Sequence, residues 1–276
     1  MGIVTIQEYT PTKPINMIGL EAGVCWGADI TDEEKNRRRG LECLQSGHMR
    51  AAEFPQVYMI LDGYSARVIR EFYTHIAGGP TRLQASTRYI DYSKDDGFDY
   101  IIPSSVRETD ETFEQYLIYK YCMDRINKSC QLLTTKYGVS KEDAANLLPL
   151  GMETKVVVRT NLRHLIDMSH QRLCNRAYWE FRQLMKDIMK ALSEYSPQWE
   201  YLVKNYFKPK CEVCGFCTEK NTCGRRPKED EVKEYIEIGK KWKNLSKEYL
   251  DDLITLLPEN KKEELIRALV EKIKKL

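Results

Sequence analysis

Residues 153–162, "ETKVVVRTNL", form a β-branched run that passes without a break into a helical pattern. β-Branched side chains lose little on a pleated surface and are stiff in a helix, so this segment predicts a strand. From Asn161 the spacing turns helical and holds to Tyr195, with Pro197 just beyond, where a proline stops continuation. The other long periodic segments also read as helices. A strand feeding a long helix in such a chain predicts the α/β (α+β) class. The expected architecture is a mixed sheet flanked by long helices, with a Cys-rich loop and a helical C-terminal tail.

Upstream, residues 32–54 predict a helix with Thr31 as N-cap and Glu34 completing a capping box. Gln56 to Leu61 predicts a strand, followed at Ser65 by a helix to about His75, and Gly78-Gly79-Pro80 breaks the chain. Residues 95–111 read as a polar connector with a short strand. Residues 109–137 predict a long helix carrying Phe113, Tyr116, Leu117 and Tyr121 at helical spacing. Ser140 N-caps a further helix that Pro149 stops. The expected division is a body over 1–203, a Cys-, Lys- and Gly-rich loop over 204–228, and a charged helical extension over 229–276. That extension carries Leu250, Leu253, Leu256 and Leu257 on one stripe.

The 276 residues are 42% hydrophobic, enough for a real core, and the net charge of +2 gives no global field for nucleic acid. No apolar run approaches the roughly 20 residues of a membrane span. The start, "MGIVTIQEYTPTKP", has no basic-then-apolar leader, and Ile6 stands where myristoylation wants Ser or Thr. The expected location is cytoplasmic. Of nine Cys, five (Cys25, Cys43, Cys122, Cys130, Cys174) sit in apolar or helical contexts and predict buried thiols. Cys211, Cys214, Cys217 and Cys223 crowd together as C-x2-C-x2-C-x5-C. Four thiolates on a short loop suit zinc or an iron–sulfur cluster, with plain thiols or a redox-labile disulfide as the alternative.

Two further constellations carry chemistry. The stretch Arg70 to Tyr92 sets Arg82 and Arg88 beside Thr81, Ser86 and Thr87 around the Gly-Gly-Pro break. Guanidinium groups with small hydroxyls form an anion cradle, and the bland alternative is a solvated loop. In residues 161–182, Arg163, Asp167 and His170 lie at i, i+4 and i+7, a polar face that lines a cleft or merely holds an Arg163–Asp167 ion pair. His164 and His170, six apart, are poor metal partners on one helix.

Taken together, these segments resemble the flavin-dependent thymidylate synthases over roughly residues 15–225. "GHMRAAEF" at 47–54 is similar to that family's "GHxSxxEH". "STRY" at 86–89 matches the end of its "RHRxxS…SxRY" signature, and "NLRHLIDMSHQRLCNRAYWEFR" is similar to "NxRxLxxFxxLRxxxxAQWEIR". "LLPLG" at 147–151 falls where an "LP" pair is expected. The departures are specific: "RHR" is replaced by Thr74-His75-Ile76, the His of "EH" by Phe54, and the acidic residue before the signature Ser by Gln84. The family's Arg shortly before "LP" is Ala145, and Gly78-Gly79 lengthens the loop. Arg67, Arg70 and Arg82 are available as substitutes for the missing guanidiniums.

The resemblance implies reductive methylation of dUMP at C5, with methylenetetrahydrofolate as carbon donor and FAD, reduced by NADPH, as hydride source. It implies Arg172 as the catalytic group. Glu71, Thr74, Gln84, Ala85, Ser86, Thr87, Arg88 and Arg172 would take dUMP. Thr74, His75, Ile76, Asn161, Leu162, Arg163 and Asp167 would take FAD. It also implies a homotetramer with active sites between subunits. Two other functions stay open: a relative modifying another pyrimidine nucleotide at C5, by UMP methylation or hydroxymethylation, and a nucleic-acid-binding module. The latter would combine the Cys knuckle with Lys204, Lys208, Lys210, Arg225 and Arg226, and the low net charge argues against it.

Overall fold

Strands β1 (Ile3–Ile6), β2 (Gln56–Ser65), β3 (Thr81–Gln84) and β4 (Glu153–Asn161) form one sheet in the order β1-β2-β4-β3. The structure is a computed structural model that describes residues 2–94 and 97–233. Every pairing of these strands is antiparallel, where the sequence reading expected a mixed sheet. The pattern of β4 explains this. Thr154, Val156, Val158 and Thr160 are buried while Lys155, Val157 and Arg159 are exposed. A strand that alternates in this way belongs to a sheet with one open face, which antiparallel pairing allows. β2 runs beyond the expected Leu61 to Ser65, through a bulge at Gly63, whose φ of 71° suits a residue without Cβ.

Helices α1 (Pro14–Cys25) and α2 (Glu33–Gln45) cross at contact distance through glycines. A Cβ on Gly19 would lie 1.7 Å from the Asn36 carbonyl oxygen, and one on Gly40 would lie 2.0 Å from that of Ile15. α2 is capped by Asp32, whose carboxylate accepts from the Glu34 and Lys35 amides, and not by Thr31, whose hydroxyl is turned to Asp29. It stops at Gln45, short of the expected 54, because Gly47 reverses the chain at φ 79° and residues 51–53 form only a single tight turn.

α3 (Ala66–Phe72) begins as expected at Ser65, whose hydroxyl accepts from the Val68 amide. α4 spans Phe113–Thr135, and α5 (Lys141–Ala144), capped by Ser140, gives way to a tight turn at Ala145–Leu147. The expected helix from Asn161 to Tyr195 is two helices, α6 (Leu162–Arg172) and α7 (Trp179–Tyr195). Between them the carbonyls of Asn175 and Ala177 leave the helical ladder and are taken by the Arg182 guanidinium. The break lets α7 meet α3, where buried Glu180 accepts from the amide (2.7 Å) and hydroxyl (2.5 Å) of Ser65.

α8 (Pro197–Tyr206) and α9 (Lys210–Cys214) extend helix into the start of the expected 204–228 loop. Among the described residues of the connector, 97–111, Tyr100 makes an isolated bridge with Met152 in place of a strand. The main core packs α7 and α8 side chains such as Phe181, Ile188 and Trp199 against Val57, Met59, Leu61, Val156 and Val158. Of the five scattered cysteines only Cys43 and Cys130 are buried. Cys25 and Cys122 are exposed and Cys174 is intermediate, so the expectation of five buried thiols is corrected. The chain divides into two units between Val213 and Cys214. The expected leucine stripe of the tail lies outside the described residues.

Candidate functional site

Two groups of candidate residues lie at opposite ends of β4. The first gathers where α3 ends and α6 begins. Arg172, at the last turn of α6, donates from Nε to Nε2 of His75 at 2.8 Å. Its Nη1 lies 3.6 Å from Glu71 Oε2, and its guanidinium carbon sits 4.4 Å from the centre of the Phe181 ring. Charge, hydrogen bond and aromatic face thus hold one half-buried cation. Burial lowers the pKa of Arg172, an effect the Glu71 carboxylate opposes, and a guanidinium remains charged in any such setting.

His75 is held in turn. Its ring packs at a steep angle against Phe181 and His164, with centroids 5.6 and 6.1 Å apart, and its backbone carbonyl accepts from Arg82 Nη2 at 2.9 Å. Burial first, then the charge of Arg172, pushes its pKa down to about 4. Arg82 also donates to the Phe72 carbonyl at 3.1 Å and lies over the Tyr73 ring, so it closes the end of α3. Arg67 lies over the Tyr178 ring. Arg82 is therefore not a spare guanidinium for an anion, because two main-chain carbonyls already take its donors, whereas the stacking of Arg67 engages only its face. Arg82 and Arg88 do not share a cradle either.

Asn161 N-caps α6 by accepting from the His164 amide at 2.8 Å, and its amide nitrogen approaches the Gly78 carbonyl at 3.4 Å. Gly78, at φ 72°, could carry no Cβ, which would fall 2.6 Å from that amide nitrogen. Leu162 is buried in the core, and its amide donates to the Pro55 carbonyl at 3.0 Å. Arg163 bridges to Glu53 at 2.5 Å and stands 4.0 Å from Asp167, so the plain i,i+4 ion pair is present beside a longer-range one. Thr74 turns its hydroxyl back to the Glu71 carbonyl, and Ile76 is 75% exposed at the head of the glycine turn. His170 lies on the same helix, where burial lowers its pKa.

The second group is Gln84 to Arg88. Gln84 pairs with Val156, and the Ala85 amide donates to the Lys155 carbonyl at 2.8 Å. Asn161 lies five residues farther along the same strand than Val156, which at the strand rise is roughly 16 Å. Gln84 and Ala85 line an open cleft of about 550 Å³ on the outer sheet face, with Tyr92, Phe98 and Lys155. Ser86 Oγ accepts from the Arg88 amide, the Arg88 guanidinium pairs with Glu142, and Thr87 lies between them in the same turn. The chain therefore assembles the Arg172–His75 half and the Ser86–Arg88 half separately.

Residues 6–198 match the family described as thymidylate synthase complementing protein. The chain belongs to that family. A flavin-dependent thymidylate synthase of Geobacter sulfurreducens is 26% identical over 80% of this chain and 94% of its own length. That of Pyrococcus horikoshii is 26% identical over 89% and 99%, and that of Nitratidesulfovibrio vulgaris 28% over 81% and 95%. Among solved structures, a flavin-dependent thymidylate synthase from Helicobacter pylori complexed with FAD and dUMP superposes with a TM-score of 0.58 at 17% identity. The match covers 75% of this chain and all of that one, and it establishes the fold.

Within the family frame, three contributors were not read from the sequence as site residues. Phe181 supports both Arg172 and His75, and its signal was its place in the matched "AYWEFR" segment. Glu53 answers Arg163 from the "AAEF" segment. His164 is only 4% exposed, and neither ring nitrogen has a hydrogen-bond partner, although one faces the His75 carbonyl.

The metal expectation fares differently. Among the described residues no group of three His, Cys, Asp or Glu side chains is gathered for a metal ion. In the second unit, Cys214 turns its sulfur to the Phe216 carbonyl, and Cys217 is buried with its amide on Pro227. Sequence spacing alone does not bring the sulfurs together. No helix among the described residues is long and apolar enough to cross a membrane.

Proposed function

We propose that this chain is a flavin-dependent thymidylate synthase acting on dUMP. The observation that carries the reading is the placement of Arg172, a permanent cation oriented by a neutral imidazole, a carboxylate and an aromatic face. Uracil C5 is a poor nucleophile until negative charge is drawn onto the ring, and a fixed guanidinium beside N3 and O4 favours that charge as it develops. C5 would then bond to the methylene carbon of methylenetetrahydrofolate as the C–N bonds that hold that carbon break, with the C5 proton lost and tetrahydrofolate released. When bound, reduced FAD, recharged by NADPH, would supply the hydride needed to bring the transferred methylene to the methyl of dTMP.

Asn161, Arg163 and Asp167, with the backbone of Leu162, Thr74, His75 and Ile76, would hold the flavin. Glu71, Thr74 and Arg172 would face the nucleotide base. Gln84, Ala85, Ser86, Thr87 and Arg88 would take its sugar and phosphate from a second copy of the chain, because one copy keeps the two groups apart. Two features support assembly, as a homotetramer in this reading. α4 leaves Phe113, Leu117, Ile118 and Tyr121 exposed, and the register partners Leu83 and Val157 are both exposed on the outer sheet face. A catalytic body over 1–203, a loop over 204–228, a tail over 229–276 and a cytoplasmic location complete the reading. A zinc ion or iron–sulfur cluster on Cys211, Cys214, Cys217 and Cys223 is proposed from spacing only, with no reaction step routed through it.

The deciding experiment supplies purified protein with FAD, NADPH, methylenetetrahydrofolate and dUMP and measures dTMP together with flavin absorbance. Flavin binding and dTMP formation are expected. Binding without product, or product from UMP alone, would replace dUMP as the substrate. No flavin bound at high micromolar FAD would defeat the reading.

A further inference from the structure

We propose that His75 is a positioning residue for Arg172, fixing the plane of its guanidinium by accepting the Nε–H on an unprotonated Nε2. The proposal rests on the reading of Arg172 given above. The bond is 2.8 Å long and joins residues 97 apart in sequence, so it is set by the fold rather than by local chain geometry. An arginine does not give up its proton, so Nε2 must be bare, and the neutral ring carries its hydrogen on Nδ1. The tautomer of His75 is thereby fixed by its partner.

The surroundings enforce the same state. Arg172 and His164 from α6 and Arg82 from β3 face the ring, α7 presents Phe181, and Glu71 from α3 is turned to Arg172. A second proton would set an imidazolium against two guanidiniums and remove the lone pair that Arg172 uses. His75 itself cannot drift, because Arg82 holds its carbonyl and Phe181 packs against its ring. With Nε on His75, Nη1 toward Glu71 and the π face on Phe181, the guanidinium is constrained in plane and in tilt. Losing the Nε anchor frees rotation, and misplacement by about 1 Å is enough to cost on the order of 10²-fold in rate.

Three variants separate this role from a structural one. His75→Leu removes the acceptor, His75→Gln keeps an oxygen near the Nε2 position, and His75→Asn reaches only as far as Nδ1. The readouts are dTMP turnover, the dUMP dissociation constant, FAD affinity, and ¹⁵N resonances of the His75 ring and the Arg172 Nε–H. His75→Leu should lower kcat by on the order of 10–10²-fold while dUMP affinity stays within about threefold. His75→Gln should recover most of the loss and His75→Asn should not. The wild-type ring should show the Nδ1–H tautomer. Should His75→Leu fail to fold, the Gln and Asn pair and the wild-type spectrum still decide.

Normal turnover by His75→Leu alongside a crippled Arg172→Ala enzyme would overturn the positioning role, as would an Nε2–H tautomer. Lost FAD affinity with an unchanged Arg172 Nε–H resonance would overturn it too, making His75 a flavin contact. Normal turnover by Arg172→Ala would instead remove the catalytic reading of Arg172, and with it the purpose of the anchor.

Discussion

The two ends of β4 are built on different principles. At the Asn161 end, the central cation is fixed by contacts from several elements, Arg172 being held by α3, α7 and the turn after α3. At the Val156 end, Ser86, Thr87 and Arg88 sit in a turn beside Tyr89, which is 81% exposed, with Glu142 as the partner of Arg88. Preorganised charge is worth most where water is excluded, and exposed ion pairs contribute little. The first region therefore holds its charge in a preorganised, partly buried setting, and the second holds its charge at the surface.

That contrast can be broken by measurement. Arg172→Ala should lower turnover by on the order of 10²–10³, with nucleotide affinity much less affected, and Arg172→Lys should not restore it because an ammonium has no planar fork. Single-turnover product formation checks this, and near-normal rates would erase the distinction. Next in size is the support beneath the first region. Ser65→Ala removes the α3 cap and one of two bonds to buried Glu180, so a loss of about 2–3 kcal/mol is expected by thermal or denaturant melting. A variant as stable as wild type would mean that the α3–α7 junction is not held as described.

Arg88→Ala tests the other end, where a smaller effect is expected. Nucleotide affinity should fall by roughly tenfold, about 1.4 kcal/mol, with kcat nearly unchanged. A collapse of kcat with affinity intact would give Arg88 the role assigned to Arg172. A slope with pH gives a separate check. The pKa of His75 is lowered from 6.5 to about 4, so the unfolded chain takes up a proton first as pH falls. Its contribution to stability is complete above about pH 6.5, is lost progressively down to about 4, and is level below that. A His75→Gln variant should lose that part of the slope, and an identical pH–stability curve would count against a neutral His75.

The legible parts of the chain were those whose pattern and burial agree. β4 was readable because its β-branched residues alternate across one buried face, and Ser65 and Ser140 were readable as caps because each precedes a helical pattern. α1 was not read, because "PINMIGLEAGVC" is apolar on nearly every side and lacks a polar face to mark its period. Its usable signals were Pro14 at the first turn and the small residues Gly19, Ala22 and Gly23, which let α2 approach. β3 is four residues with a single aliphatic side chain, so only its pairing with β4 identifies it. The site divides in the same way. Arg172 and Asn161 follow from motif order, whereas the His75 bond and the Arg82 closure join residues that no local period connects.

The glycine crossing of α1 and α2 has a consequence for how this fold tolerates sequence change. Side chains can be exchanged across most helix contacts by repacking neighbours, because their far ends bend. At Gly19 and Gly40 the obstacle is main-chain carbonyl, which has no rotamer to yield. Even alanine there would have to push the two helix axes apart along their whole contact. The crossing therefore works as a mechanical stop that sets the spacing of the pair to the thickness of two bare backbones.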